Sequence, residues 1–172
     1  MLNKMLFIMV ILSSFLVSKD LSLERFSGLE IGYEKVEAKN VIGSTESNIG
    51  VELGLRTGVQ NYDWRTSISG HFFKKDEQEY IKAILSFDKF VGVGIYESED
   101  TIMKPYIGLN SGWLNYKNTG KKVDGLIYGV EIGIVWALSD GADIDLGYKF
   151  SSSEVGRVDN INTFSLAINY IF

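Results

Sequence analysis

The sequence predicts an all-β chain, an antiparallel up-and-down barrel of eight strands, on three observations. Apolar and polar residues alternate with a period of two through nearly every segment after residue 25. The chain holds 18 Gly against 1 Pro, and 13% of it is aromatic. Glycine costs about 1 kcal/mol per site in a helix, but it suits twisted, closely packed strands. No segment beyond the leader keeps a helical stripe, and 172 residues leave room for one domain.

The first element is different in kind. Met1 to Lys4 carry one positive charge, and Met5 to Val17 are apolar apart from Ser13 and Ser14. A run of about 13 residues is too short to cross a hydrocarbon core of roughly 30 Å as a helix. A basic start followed by such a run is the pattern of a secretory signal peptide. Cleavage is expected after Ser18, with 19–172 forming the barrel.

Eight strands are expected near 25–38, 48–57, 63–74, 79–96, 104–116, 124–138, 142–151 and 162–172. In the first, Leu29, Ile31 and Tyr33 alternate with Gly28, Glu30, Gly32 and Glu34. In the second, Ile49, Val51, Leu53 and Leu55 alternate with Gly50, Glu52, Gly54 and Arg56. The third sets Trp64 and Phe72 against Arg65, Ser67, Ser69 and His71. In the fourth, Ile81, Ala83, Leu85, Phe87, Val91, Val93 and Ile95 keep one parity, broken only by Lys89. A turn there would make nine strands. Bacterial single-chain barrels have even counts, so the segment is kept whole, with ten strands as the alternative. The sixth shows Leu126, Tyr128, Val130, Ile132, Ile134 and Trp136 opposite Gly129, Glu131, Gly133 and Ala137. Ile144, Leu146, Tyr148 and Phe150 form the seventh, and Phe164, Leu166, Ile168, Tyr170 and Phe172 the eighth. Lys39–Ser47, Lys117–Asp124 and Ser151–Ile161 are expected to be long polar loops at one end. Val59–Asp63, Glu97–Thr101 and Ser139–Ala142 are expected to be short turns at the other.

Alternation alone does not say which face is outside; the composition of the faces does. One face is Leu, Ile, Val, Phe, Tyr and Trp almost throughout, and the other is Gly, Ser, Thr, Asn and charges. An eight-stranded interior is only wide enough for side chains to fill it. Several aromatic rings per layer would crowd it, whereas glycine and compact ion pairs fit. The apolar face is therefore expected to meet lipid, with aromatics near the strand ends at the headgroup level.

Three stretches carry a family resemblance. Thr163 to Phe172, ending in Phe, resembles the terminal strand by which the outer-membrane assembly machinery recognises its clients. Lys104-Pro-Tyr-Ile-Gly-Leu-Asn-Ser-Gly-Trp113 resembles the PY-x-G-x-x-x-G strand of small OmpA/OmpX-like barrels. Val130 to Asp140 followed by Ile144 to Phe150 resembles that family's next hairpin. The resemblance implies a Gram-negative outer-membrane barrel, with Tyr170 and Phe172 in the assembly signal.

The inward parity collects Glu30, Glu34, Glu52, Asp88, Glu131 and Asp145 with Arg56, Arg65, Lys82 and Lys149. Charges in a confined lumen must pair or stay hydrated. The expectation is a salt-bridge network of Glu30, Glu52, Arg56, Arg65, Lys82, Glu131, Asp145 and Lys149 that plugs the barrel, the alternative a narrow porin-like channel. A third reading, a lipid A-modifying enzyme, would use His71 with Ser69, but no adjacent acid of the right parity is visible. One histidine and no cysteine leave no expected zinc or haem site. Lys117, Lys121 and Lys122 form a basic cluster that could meet lipopolysaccharide phosphates. A net charge of −5 argues against nucleic acid. The expected partners are outer-membrane lipid, lipopolysaccharide and the assembly machinery. The expected role is structural or surface-interacting and non-enzymatic, carried by external loops of a monomer without cofactor.

Overall fold

The computed structural model describes residues 23–39, 45–75, 78–92, 97–98, 101–118, 121–139, 141–155 and 158–172. The expected signal peptide at 1–18 lies outside the described residues. Eight long strands build the wall: β1 (Glu24–Lys39), β2 (Thr45–Gln60), β3 (Trp64–Lys75), β4 (Gln78–Phe90), β5 (Thr101–Asn118), β6 (Lys121–Ser139), β7 (Ala142–Ser153) and β8 (Val158–Ile171). Each strand pairs antiparallel with the next, and β1 pairs with β8 from Phe26↔Ile171 to Ala38↔Val158. The sheet is thus closed into an up-and-down barrel of eight strands with no free edge.

Two expectations need correction. The fourth strand ends at Phe90 rather than running to 96. The Phe90 N–H donates to Asp63 O at 2.9 Å, and the Val91 N–H donates to Pro105 O at 2.8 Å. Gly92 then turns with φ 64°, a conformation that favours glycine. A two-residue rung, Glu97–Ser98, pairs with Thr101–Ile102 before β5 continues. Alternation at Val91, Val93 and Ile95 therefore outlasts the ladder that it suggested.

The loop lengths also differ. At the end away from the termini only Lys39 to Thr45, Lys75 to Gln78, Asn118 to Lys121 and Ser153 to Val158 connect the strands. The longest connection, Phe90 to Thr101, lies at the termini's end. Polar residues mark where a strand leaves lipid, and the ladder runs on past that point. Lys117 pairs with Lys122 and Asn118 with Lys121, so the expected loop 117–124 is almost all hairpin.

Polarity is inverted relative to a soluble protein. Leu29, Leu55, Leu109, Ile132 and Ile168 are each about three-fifths exposed or more, while Glu34, Glu52, Arg65 and Asp88 are at most 1% exposed. Outward positions turn polar at Lys35, Lys74, Glu79, Asn115, Asp124 and Asn162. Toward the termini outward charge returns at Arg25 and at Lys89, and among the described residues no outward side chain between the two borders is charged. The band covers about nine residues of each strand, the length that crosses a bilayer at a tilt. Strands of 18 and 19 residues, β5 and β6, project beyond it.

The lumen is layered. Toward the outer end, Val36, Phe73, Ile84, Leu114, Ile127 and Ile161 belong to one buried apolar cluster, with the Phe73 and Tyr80 rings stacked at 4.7 Å. Toward the termini, Phe26, Phe90, Tyr106 and Val135 are buried. The charges lie between.

The chain has no cysteine, so single cysteines report their surroundings cleanly. Spin labels at Leu53 and Ile168 should collide with oxygen dissolved in the hydrocarbon, and labels at Ser165 and Asn169 should not. The reverse pattern would refute the inside-out polarity.

Candidate functional site

Register and parity together assemble the lumen network. Reading across the wall, Arg65 stands opposite Asp88, Asp88 opposite Gly108, Gly108 opposite Glu131, and Glu131 opposite Lys149. Lys149 then faces Thr163, which faces Glu34. A second line runs Glu30, Gly54, His71 and Lys82. Period two turns every one of these residues inward, and the pairing places opposite charges within reach.

All eight charged residues singled out from the sequence are buried on the lumen side. Arg65 is the hub toward the termini: its guanidinium lies 2.8 Å from Asp88 and 2.7 Å from Asp145, with its centre 4.7 Å above the Tyr106 ring. Planar guanidinium suits this double duty, since it pairs with carboxylates at its edge and stacks through its face. Arg56 holds Asp145 at 2.8 Å, and the Tyr106 hydroxyl donates to the same carboxylate at 2.9 Å. Toward the outer end Lys82 lies 2.5 Å from Glu34 and 2.8 Å from Glu52, while Tyr80 and Thr163 also donate to Glu34. Lys149 reaches Glu30 at 2.5 Å. Glu131 is buried opposite Lys149 in the ladder.

Parity reasoning left out several members. Asp143 accepts from Asn169 at 2.5 Å and from Gln60 at 3.4 Å. Tyr80 and Tyr106 also belong here, and their positions on the inward parity were the available signal. Among the described residues, a void bounded by Ser67, Ser69, Tyr106 and Glu131 is about 10 Å³, the size of a single water.

His71 corrects another expectation. Its Nε2 lies 2.8 Å from Ser69 Oγ, and its Nδ1 lies 3.4 Å from Glu52 Oε1. An acid of the right parity does stand beside it. Glu52 is opposite Phe73 and so diagonal to His71, a relation fixed by the β2–β3 register and unreadable from either strand alone. The order Ser–His–Glu is that of an acyl-transfer triad. Here all three are buried inside the barrel, and the adjoining void has no room for an ester. An open groove of about 620 Å³ on the lipid face of this wall is lined by Leu53, Leu55, Phe72 and Ile81, and at its floor by Glu30, Gly54, Gly70 and His71.

The basic cluster lies on the outer hairpin of β5 and β6. Lys117 and Lys122 are exposed and directly opposite each other, with Lys121 opposite Asn118. Tyr170 and Phe172 are exposed at the termini's end, their rings stacked at 6.1 Å.

No family model and no curated protein sequence matches the chain. Solved structures do. Neisserial surface protein A is similar with a TM-score of 0.61 at 14% identity, over 86% of this chain and 97% of its own. Outer membrane protein H of Pseudomonas aeruginosa gives 0.58 at 20% identity, over 87% and 99%. The N-terminal β-barrel domain of OprF from the same organism gives 0.57 at 9%, over 84% and 97%. At such identities what is shared is the fold. With its outward apolar band and its charged lumen, the chain has the fold of the small OmpA/OmpX-like outer-membrane β-barrels.

Proposed function

We propose that this barrel is a non-enzymatic outer-membrane protein with a structural or surface-interaction role carried by its outer rim. The supporting observation is the closed lumen. Among the described residues an ion-pair network fills the middle around a void of about one water's volume, and an apolar cluster lies across the outer end. This filling of the described lumen favours interaction at the surface over passage or chemistry inside. The rim consists of projecting strand hairpins rather than long loops. In the proposed biogenesis, residues 1–18 are a cleaved leader, and the terminal strand with Tyr170 and Phe172 is read by the assembly machinery.

The rim's chemistry favours anionic lipid headgroups. Like charges directly opposite in a ladder destabilise it, and Lys117 faces Lys122. A lipopolysaccharide phosphate between them would remove that repulsion. Each lysine near an anionic surface contributes about 1 kcal/mol. The Lys117→Ala, Lys122→Ala double variant should therefore bind lipopolysaccharide-containing vesicles about thirtyfold more weakly at low salt. Unchanged binding would remove the rim from the proposal.

Planar-bilayer recordings of the refolded protein should show no discrete openings; reproducible unit conductance would replace the plug with a channel. Lipid A mass spectra should be identical for cells carrying the wild type and His71→Ala. Loss of a deacylated species in the variant would establish the enzymatic reading instead. The plug also predicts an asymmetry in stability. Arg65→Ala leaves Asp88 and Asp145 short of a partner, and breaking a buried pair costs about 3–5 kcal/mol. Lys35→Ala breaks an exposed pair with Glu37 and should change stability by less than about 1 kcal/mol. Urea midpoints read from heat-modifiable gel migration compare the two.

A further inference from the structure

Three buried atoms in the lumen have no hydrogen-bond partner: Glu30 Oε2, Glu52 Oε1 and His71 Nδ1. Their side chains come from β1, β2 and β3, are at most 3% exposed, and each offers one ligand atom within 4.8 Å of the others. Leaving such groups unsatisfied is costly, the more so for two carboxylates.

The far side of each group, by contrast, is anchored. His71 Nε2 is 2.8 Å from Ser69 Oγ, Glu52 Oε2 is 2.8 Å from Lys82, and Glu30 Oε1 is 2.5 Å from Lys149. With Nε2–H donating to Ser69, Nδ1 presents a lone pair to the shared point. Outer partners that fix the tautomer of a ligating histidine and hold the second oxygen of ligating carboxylates are the usual surroundings of a metal ion. Glycine keeps the space clear. A Cβ at Gly54 would lie 2.6 Å from His71 Nδ1, and one at Gly32 would lie 2.8 Å from Glu52 Oε1.

We propose that Glu30, Glu52 and His71 form a site inside the lumen for one divalent transition-metal ion of the zinc class. One imidazole and two carboxylates suit borderline zinc or cobalt; calcium takes six to eight oxygens and magnesium keeps its waters. His71 Nδ1 and Glu52 Oε1 are 3.4 Å apart, about the spacing of two ligands on a tetrahedral ion held at roughly 2.1 Å. A small turn of the Glu30 carboxylate brings its oxygen in, and a water completes the coordination.

The surrounding charges are mixed but favour a cation. Lys82 and Lys149 stand behind the carboxylates, Glu34 shares Lys82, and Arg56 lies 3.6 Å from Glu30 Oε2 while committed to Asp145 at 2.8 Å. Among the described residues, the buried carboxylates Glu30, Glu34, Glu52, Asp88, Glu131, Asp143 and Asp145 outnumber the buried cations Arg56, Arg65, Lys82, Lys104 and Lys149 by two. The expectation of no metal counted only histidine and cysteine, whereas carboxylates complete this set.

Because the site is enclosed, the metal enters as the barrel folds. The full chain is refolded in detergent with zinc chloride or with EDTA, then desalted, and its metal is measured by emission spectroscopy. About one zinc per chain should remain after refolding with zinc, and cobalt should give the visible absorption of a tetrahedral ion. His71→Gln and Glu52→Gln should each lower retained metal at least about tenfold, and Ser69→Ala should weaken it by about 10- to 100-fold. Heat-modifiable migration checks that each variant folds; where His71→Gln does not, Glu30→Gln takes its place. Folded wild type that retains no zinc, or folded variants that retain as much as wild type, would overturn the proposal and leave the three atoms around a water.

Discussion

The structure depends on closure. In hydrocarbon no water can satisfy an unpaired amide, so a sheet that spans a membrane must have no edge. The ladder from Gln78↔Asn118 to Phe90↔Tyr106 is consecutive hairpin pairing, whereas the one between β1 and β8 joins the two ends of the chain. Once that last ladder forms, period two divides each strand into an outer and an inner set. The outer set meets acyl chains and the inner set is confined within a space as narrow as an eight-stranded wall allows.

Confinement explains the composition of the interior. The lumen cannot hold a second layer of bulky apolar groups along its whole length, so its middle is filled by charges that pair across it. Lys82 lies between Glu34 and Glu52, and Arg65 between Asp88 and Asp145. Larger side chains are admitted only where the barrel ends. Phe73, Leu114 and Ile161 close the outer end, and Phe26 and Phe90 narrow the other. A polar middle between apolar stoppers is the feature on which the proposed rim role rests.

Parity could be read from the sequence, and register could not. Glu30, Glu52, Arg56, Asp145 and Lys149 alternate with apolar neighbours, so their inward direction follows from spacing alone. That Glu52 would stand beside His71 depends on the β2–β3 turn and the count of residues through it, which alternation does not encode. The outer apolar stopper was hidden for a different reason. Val36, Leu114 and Ile161 share the parity of charged residues, and only their height in the barrel sets them apart. Loop lengths were misread because polarity reports the edge of the lipid, whereas hydrogen bonding carries the ladder of β5 and β6 well beyond it.

Buried ion pairs are a poor source of net stability, because desolvation offsets most of the Coulomb gain. Their value in this barrel lies in choosing the register. If β3 slipped by one residue against β2, Arg65 and His71 would turn toward acyl chains, and Trp64 and Phe72 would turn into a lumen without space for them. An arginine on the lipid face near the bilayer midplane costs about 2–4 kcal/mol. Each strand from β1 to β7 carries an inward charge, so a slip anywhere along most of the wall meets the same penalty. The network therefore fixes which residues face lipid. The rim lysines and the Glu30–Glu52–His71 cluster occupy their positions because that choice has been made.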